Sequence, residues 1–444
     1  MAGAVHGGVV REGVVQGGAS RRQPAREAAA RTYARALPVV PVRARGLTIE
    51  GADGRRYLDC VSGAGALALG HNHPVVLEAI RAVLDSGAPL HVMDLTTPVE
   101  DAFVTELLRT LPPELAAHAR VRFCGPTGTD PVATAVSLVR AATGRSRVIA
   151  VADAPEPLPD DGEAARDRPA ALLLEPVRSA AGVLPVADAL VRRLRSRTTG
   201  HSVPLVVDET ETGVGRTGAY WAFEHSGVTP DVLILARAIG GSLPLAAVVH
   251  RDDLDDSGDT GGRGTVGRHG IMGRPAAAHT GATGTGAFRG NQLALAAGAA
   301  TLAHVREHRL AEHAAVLGDR MLTRLRALAA EFACVGDVRG RGLMAGVELV
   351  APDAATRVPT DGVRPGTPGT AAELAAAVRR ECLHRGLIVD VAGPCANVVR
   401  LLPPLIVTEE QMSAVLDRLF DAVRAVDRHR VGGAASLRGE RAPR

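Results

Sequence analysis

Leu205-Val206-Val207-Asp208-Glu209 sets an aspartate at the end of an apolar run that reads as a buried parallel strand. Open α/β sheets bind their ligands at the carboxyl ends of such strands, although an isolated aspartate there reads first as a helix N-cap. A second stretch is Phe123-Cys124-Gly125-Pro126-Thr127-Gly128-Thr129-Asp130-Pro131. It joins a strand to a helix, with Asp130 suited to the N-cap and Pro131 to the first helical position. Its glycines and the free N–H groups of the helix start suit an anion, a weak signal taken alone. One kind of chemistry is missing. All 51 basic side chains are arginine and no lysine occurs, so no side chain offers a primary amine. A compositional bias accounts for that absence without any function, but the chemical consequence is the same.

The elements around these residues alternate. Apolar runs at 121–123, 148–151, 171–177, 205–208, 232–235 and 245–249 read as strands, separated by helical patterns. Such alternation predicts parallel βαβ units and a sheet covered on both faces. Ahead of them, 46–59 reads as a hairpin around Gly51-Ala52-Asp53-Gly54, and a helix follows His73-Pro74 to about residue 84. Residues 251–286 are rich in Gly, Arg and Thr and read as a long loop, followed by helices over 291–308 and 311–332. A hairpin over 336–350 turns around Arg339-Gly340-Arg341-Gly342, and Thr370-x-x-Glu373 and Thr408-x-x-Gln411 are capping boxes that open two amphipathic helices. The expected division is a flexible tail over 1–24, the N-terminal part of a small domain over 25–74, a large domain over 75–305, the C-terminal part of the small domain over 306–431, and a tail over 432–444.

A chain of 444 residues can bury two sizeable cores. A net charge of +3 leaves no broad basic surface for nucleic acid or membrane, and no apolar run reaches the length of a membrane span. The first residues lack a basic segment followed by an apolar one, so no secretory leader is expected. The five cysteines show neither pairing nor metal-ligand spacing, which predicts reduced thiols in a cytoplasmic protein and no metal site.

The ordered blocks YLDCVSGAGALALGHNHP (57–74), FCGPTGTD, VVDET, GRTGAYWAFEHSGVTPDVLILARAIGGSLPLA, FRGNQ, GDVRGRGLMAGVEL and VVRLLPPLI resemble class III aminotransferases. The wording is nearest to the diaminobutyrate–2-oxoglutarate aminotransferases, and the resemblance runs over about 31–426. It implies a pyridoxal 5'-phosphate (PLP)-dependent transferase of fold type I. In that fold a large domain holds a mainly parallel, seven-stranded-type sheet, and a smaller α+β domain is built from both chain ends. It also implies an amino-acid or keto-acid substrate and a homodimer with sites at the interface. Carried over by position, Gly128 and Thr129 would bind the cofactor phosphate, and Asp208 would pair with the pyridine nitrogen. Arg400 would hold a substrate α-carboxylate, a planar two-point task that suits guanidinium.

The chain departs from that pattern at the cofactor contacts. Where the family has Ser-Lys-Ala-Ile-Gly-Gly, this sequence has Ala236-Arg237-Ala238-Ile239-Gly240-Gly241. Arginine stays protonated at any ordinary pH, so Arg237 at the Schiff-base position supplies neither a nucleophilic amine nor a general base. Glu211 replaces a glutamine expected near the phenolic oxygen, Ala287 replaces a phosphate-binding threonine, and Arg178-Ser179-Ala180-Ala181-Gly182 replaces Gln-Gly-Glu-Gly-Gly. The segment between Gly144 and Glu175 is short and carries no aromatic or histidine residue, so the ring-stacking element is missing. The expectation is an impaired or inactive aminotransferase homologue with weak, non-covalent PLP binding at most. The alternatives are a working PLP enzyme and a non-catalytic subunit that forms a heterodimer with an intact paralogue.

Overall fold

The computed structural model describes residues 37–92, 95–126, 130–151, 168–255, 290–351 and 371–439. Its centre is a six-stranded sheet in the order Ala119–Cys124, Ala246–Arg251, Val232–Ala236, Leu205–Asp208, Ala171–Leu174 and Val148–Ala150. The last four strands run parallel. All five residues of Val232–Ala236 are buried, as are Leu205, Val206 and Val207. Continuous apolar runs of this kind belong in strands covered on both faces. Helices such as Asp130–Thr143 and Asp188–Gly200 supply the cover.

Two expected strands and the strand count differ in detail. The run at 245–249 is the strand Ala246–Arg251, and it pairs antiparallel with both of its neighbours. Only a short 3-10 turn, Arg237–Gly240, and a few further residues separate it from Val232–Ala236. A parallel return requires a crossover of about a dozen residues or more. The run at 171–177 breaks after Leu174, and Val177–Arg178 turns away to pair with Leu184–Pro185. Pro176 lacks the N–H that a continuing ladder needs. The sheet, expected to be seven-stranded, has six strands among the described residues.

The smaller domain draws on both parts of the chain. Strands Pro41–Arg45, Thr48–Gly51 and Arg56–Asp59 form an antiparallel set, and Leu387–Ile388 joins Arg56–Asp59 in parallel. A second sheet has the order Val335–Arg341, Met344–Leu349, Val398–Leu401 and Asp390–Ala392. The capping box at Thr408 forms as expected. The Gln411 N–H donates to Thr408 Oγ1 at 3.2 Å, and the Thr408 N–H donates to Gln411 Oε1 at 3.1 Å. The helix it opens, Glu409–Gly439, continues through the expected start of the C-terminal tail at Gly432. Thr370 lies outside the described residues, as do 1–36 and most of the 251–286 loop. Apolar residues from both domains form one continuous core.

Candidate functional site

Two neighbouring parallel strands, Leu205–Asp208 and Val232–Ala236, are in register with Ile234 opposite Asp208. Their carboxyl ends therefore open at the same edge, and the residues just beyond them converge. Arg237 leaves its strand with φ of +55°, in the left-handed region that non-glycine residues seldom enter. The turn is fixed from below. Gly241 also has φ of +55°, and a Cβ there would lie 2.3 Å from the Ala297 carbonyl oxygen. The Arg237 side chain gives Nη1–H to the Ala64 carbonyl at 2.5 Å, and Nη2 lies 2.8 Å from Glu211 Oε1. Ala64 belongs to the loop after Asp59, whose Oδ1 accepts from the Val61 and Ser62 N–H groups at 2.9 and 3.1 Å.

Arg400 reaches the same carboxylate from the other domain. It sits on Val398–Leu401, and its side chain is only 9% exposed. Nη1 donates to Glu211 Oε2 at 3.1 Å and to Ser179 Oγ at 2.6 Å. Nη2 donates at 2.6 Å to Oδ2 of Asp390, its register partner on the adjacent strand. The buried Nε has no hydrogen-bond partner among the described residues. Arg237, Glu211, Arg400 and Asp390 thus form one chain of alternating charge. Each oxygen of Glu211 serves a different guanidinium.

Asp208 lies beside this chain. Burial raises its carboxyl above the ordinary aspartate value, hydrogen bonds from the Thr210 side chain and from the Thr210 N–H (on Oδ1 at 2.9 Å) lower it, Glu211 raises it and Arg237 lowers it. Its neighbour Glu209 is fully buried behind the site. Its Oε2 accepts from Thr212 Oγ1–H at 2.5 Å and its Oε1 from the Phe223 N–H at 2.9 Å. Burial pushes Glu209 up to about 7. Arg216 is also buried and ties the domains through the Leu343 carbonyl at 3.2 Å and the Pro403 carbonyl, and burial lowers its guanidinium to about 10.

Of the residues singled out by sequence, the structure gathers Asp208, Glu211, Arg237 and Arg400 at one edge. Gly128, Thr129 and Ala287 lie outside the described residues. Sequence reasoning notes Glu211 only as a replacement for glutamine near the phenolic oxygen; in the structure both of its oxygens are matched by arginine. Two contacts escaped that reasoning. Asp390 carries no local signal, because only strand register places it against Arg400. Ser179 stood within a noted departure, but its hydroxyl finds Arg400 across 221 positions. Among the described residues no three His, Cys, Asp or Glu side chains are placed to hold a metal ion.

Comparison with known proteins agrees with this architecture. The profile described as Aminotransferase class-III matches residues 28–155 and 156–423. A diaminobutyrate–2-oxoglutarate aminotransferase of Rhizobium meliloti (strain 1021) is 37% identical, covering 92% of this chain and 92% of that protein. A protein of the same description from Haemophilus influenzae (strain ATCC 51907 / DSM 11121 / KW20 / Rd) is 33% identical, covering 90% of this chain and 94% of its own. The crystal structure of an acetylornithine aminotransferase from Elizabethkingia anophelis superposes with a TM-score of 0.71 at 25% identity, covering 91% of this chain and 99% of that chain. Matched along nearly its whole length and folded around a central, mostly parallel sheet, the chain belongs to the class III aminotransferase family.

Proposed function

We propose that this chain is a diaminobutyrate-transaminase-like member of the family that does not carry out ordinary PLP-dependent transamination. The observation that carries this reading is Arg237. Its guanidinium stands at the strand end where the family chemistry needs an amine, and it is held there by Glu211 and the Ala64 carbonyl. The residues present do not fit a covalently attached cofactor, because the sequence has no lysine. Asp208 retains a feature that would suit a pyridine N–H: it is a partly buried carboxyl at the end of the strand Leu205–Asp208. Any PLP is therefore held weakly and without a bond to a side chain, with Gly128 and Thr129 as the phosphate contacts and Ala287 contributing no hydroxyl. Arg400 is the residue for a substrate-type carboxylate.

The same reading makes the protein a homodimer, able to form a heterodimer with an intact paralogue, and places it in the cytoplasm. Among the described residues no helix is long and apolar enough to cross a membrane.

The test is to incubate the full chain with PLP, reduce with borohydride and map the peptides. The expected result is an unmodified folded domain, with any adduct confined to the N-terminal amine. An adduct mapped within the domain, or steady conversion of 2,4-diaminobutyrate in the presence of 2-oxoglutarate, would refute the reading.

A further inference from the structure

We infer that Arg237 and Arg400 form a two-guanidinium clamp for a small carboxylate, the class that includes 2-oxo acids and amino acids, and that Glu211 fills this clamp as an intramolecular ligand. This rests on reading the strand edge as the site of an aminotransferase homologue, and it goes beyond that reading by giving Arg237 a binding role.

The geometry is that of a bound carboxylate. One Glu211 oxygen lies 2.8 Å from Arg237 Nη2 and the other 3.1 Å from Arg400 Nη1. Guanidinium groups favour this kind of planar, multi-point contact with carboxylates. Each arginine also has a second anchor that does not involve Glu211. Arg237 is held by the Ala64 carbonyl, and Arg400 by Asp390 and the Ser179 hydroxyl. Removal of the glutamate side chain therefore leaves both cations in place, a preorganised arrangement that needs little reordering to bind. Arg400 also keeps a buried Nε–H without an acceptor among the described residues, so the clamp holds a spare donor.

Charge decides when the clamp opens to solution. With Glu211 and Asp390 in contact and Asp208 nearby, the two cations are already matched, and a further anion gains little. Without Glu211 the two guanidinium groups lose the one carboxylate that bridges them. A tethered carboxylate competes with a free one, and the apparent dissociation constant of the free ligand rises by the inverse of the fraction of time the clamp is open. An occupancy of nine-tenths by Glu211 would weaken external binding about tenfold.

Isothermal titration of the full chain with 2-oxoglutarate, without PLP, tests the inference. Glu211→Ala is expected to bind at least about tenfold more tightly than the parent chain. Adding Arg237→Gln to that variant should remove the gain. Glu211→Gln keeps the side-chain volume, and its expected partial gain decides the same point if the alanine variant does not fold. No gain in the folded Glu211 variants overturns the proposal, as does a gain that survives Arg237→Gln. Because no cofactor is present, this outcome is independent of the borohydride mapping, which tests the loss of transamination alone.

Discussion

Glu211 Oε1 lies 2.8 Å from Arg237 Nη2, so two residues that read from the sequence as departures from the family pattern meet in a single ion pair. In the sequence they are 26 positions apart and read as separate losses. In the structure they form a matched pair, and restoring one residue alone leaves its partner mismatched.

That pairing bears on attempts to rebuild catalysis. Arg237→Lys would put an ammonium group next to the Glu211 carboxylate, which stabilises the protonated amine, and each unit of upward shift removes tenfold of the free amine. The single variant is expected to show no useful transamination. Arg237→Lys combined with Glu211→Gln should exceed it in kcat/KM by about tenfold or more, and still fall short of intact relatives because 145–174 carries no aromatic or histidine side chain to stack on a cofactor ring. A spectrophotometric transaminase assay on both variants checks this, and full recovery with Arg237→Lys alone would show that the other departures are harmless.

Glu209 makes stability depend on pH. Its folded value of about 7 lies above the ordinary 4.5, so the folded chain binds more protons than the unfolded chain between those limits. The stabilising contribution is fully present below about 4.5 and is lost as pH rises through about 7. A shift of this size corresponds to roughly 3 kcal/mol. Glu209→Gln, which remains neutral and keeps an acceptor for the Phe223 N–H, should gain on the parent chain as pH rises from 5 to 8. Urea midpoints of the two proteins at both pH values give the comparison, and parallel behaviour would contradict it.

Thiol reactivity offers a simpler check of the fold. Cys60, Cys124, Cys334 and Cys382 are buried and Cys395 is exposed. Burial raises the Cys60 thiol far above its ordinary value, Cys124 to about 11 and Cys382 to about 12. A disulfide reagent should therefore titrate one thiol quickly in the native protein and all five after denaturation. Rapid loss of two or more would show that the core is open.

Assembly is open to direct measurement. Leu84, Leu90 and Leu95 are 50%, 47% and 65% exposed within one short stretch of chain, large apolar side chains of the kind that subunit contacts cover. Sedimentation equilibrium is expected to show a dimer. Leu90→Asp together with Leu95→Asp should shift the equilibrium toward monomer without altering the circular dichroism, and a parent chain that is monomeric at all concentrations would count against the dimer.

Local sequence carried much of the architecture. The apolar run ending at Asp208 marked both a buried strand and the edge at which the candidate site opens. Thr408 and Gln411 marked a helix start, because a capping box is encoded within four residues. Strand direction was less legible. Leu245 to Val249 has the composition of a parallel strand, and only the shortness of the connection after Arg237 turns it antiparallel. Pro176 did signal the break after Leu174, although the flanking apolar residues masked it. The contacts of Arg400 with Ser179, Glu211 and Asp390 depend on domain packing and register, which no local pattern encodes.

The parallel pairing of Leu58 with Leu387 has a consequence for synthesis on the ribosome. The two partners are 329 positions apart, so the first leaves the ribosome long before the second exists. At about 5–20 residues per second, the early hairpin waits roughly 15–65 s for the strand that completes its sheet. During that interval the edge of Arg56–Asp59 is open to pairing with other nascent chains. The large domain can fold as its strands emerge, whereas the small domain closes only near the end of translation. Chaperone dependence and aggregation during overexpression should therefore track the N-terminal hairpin.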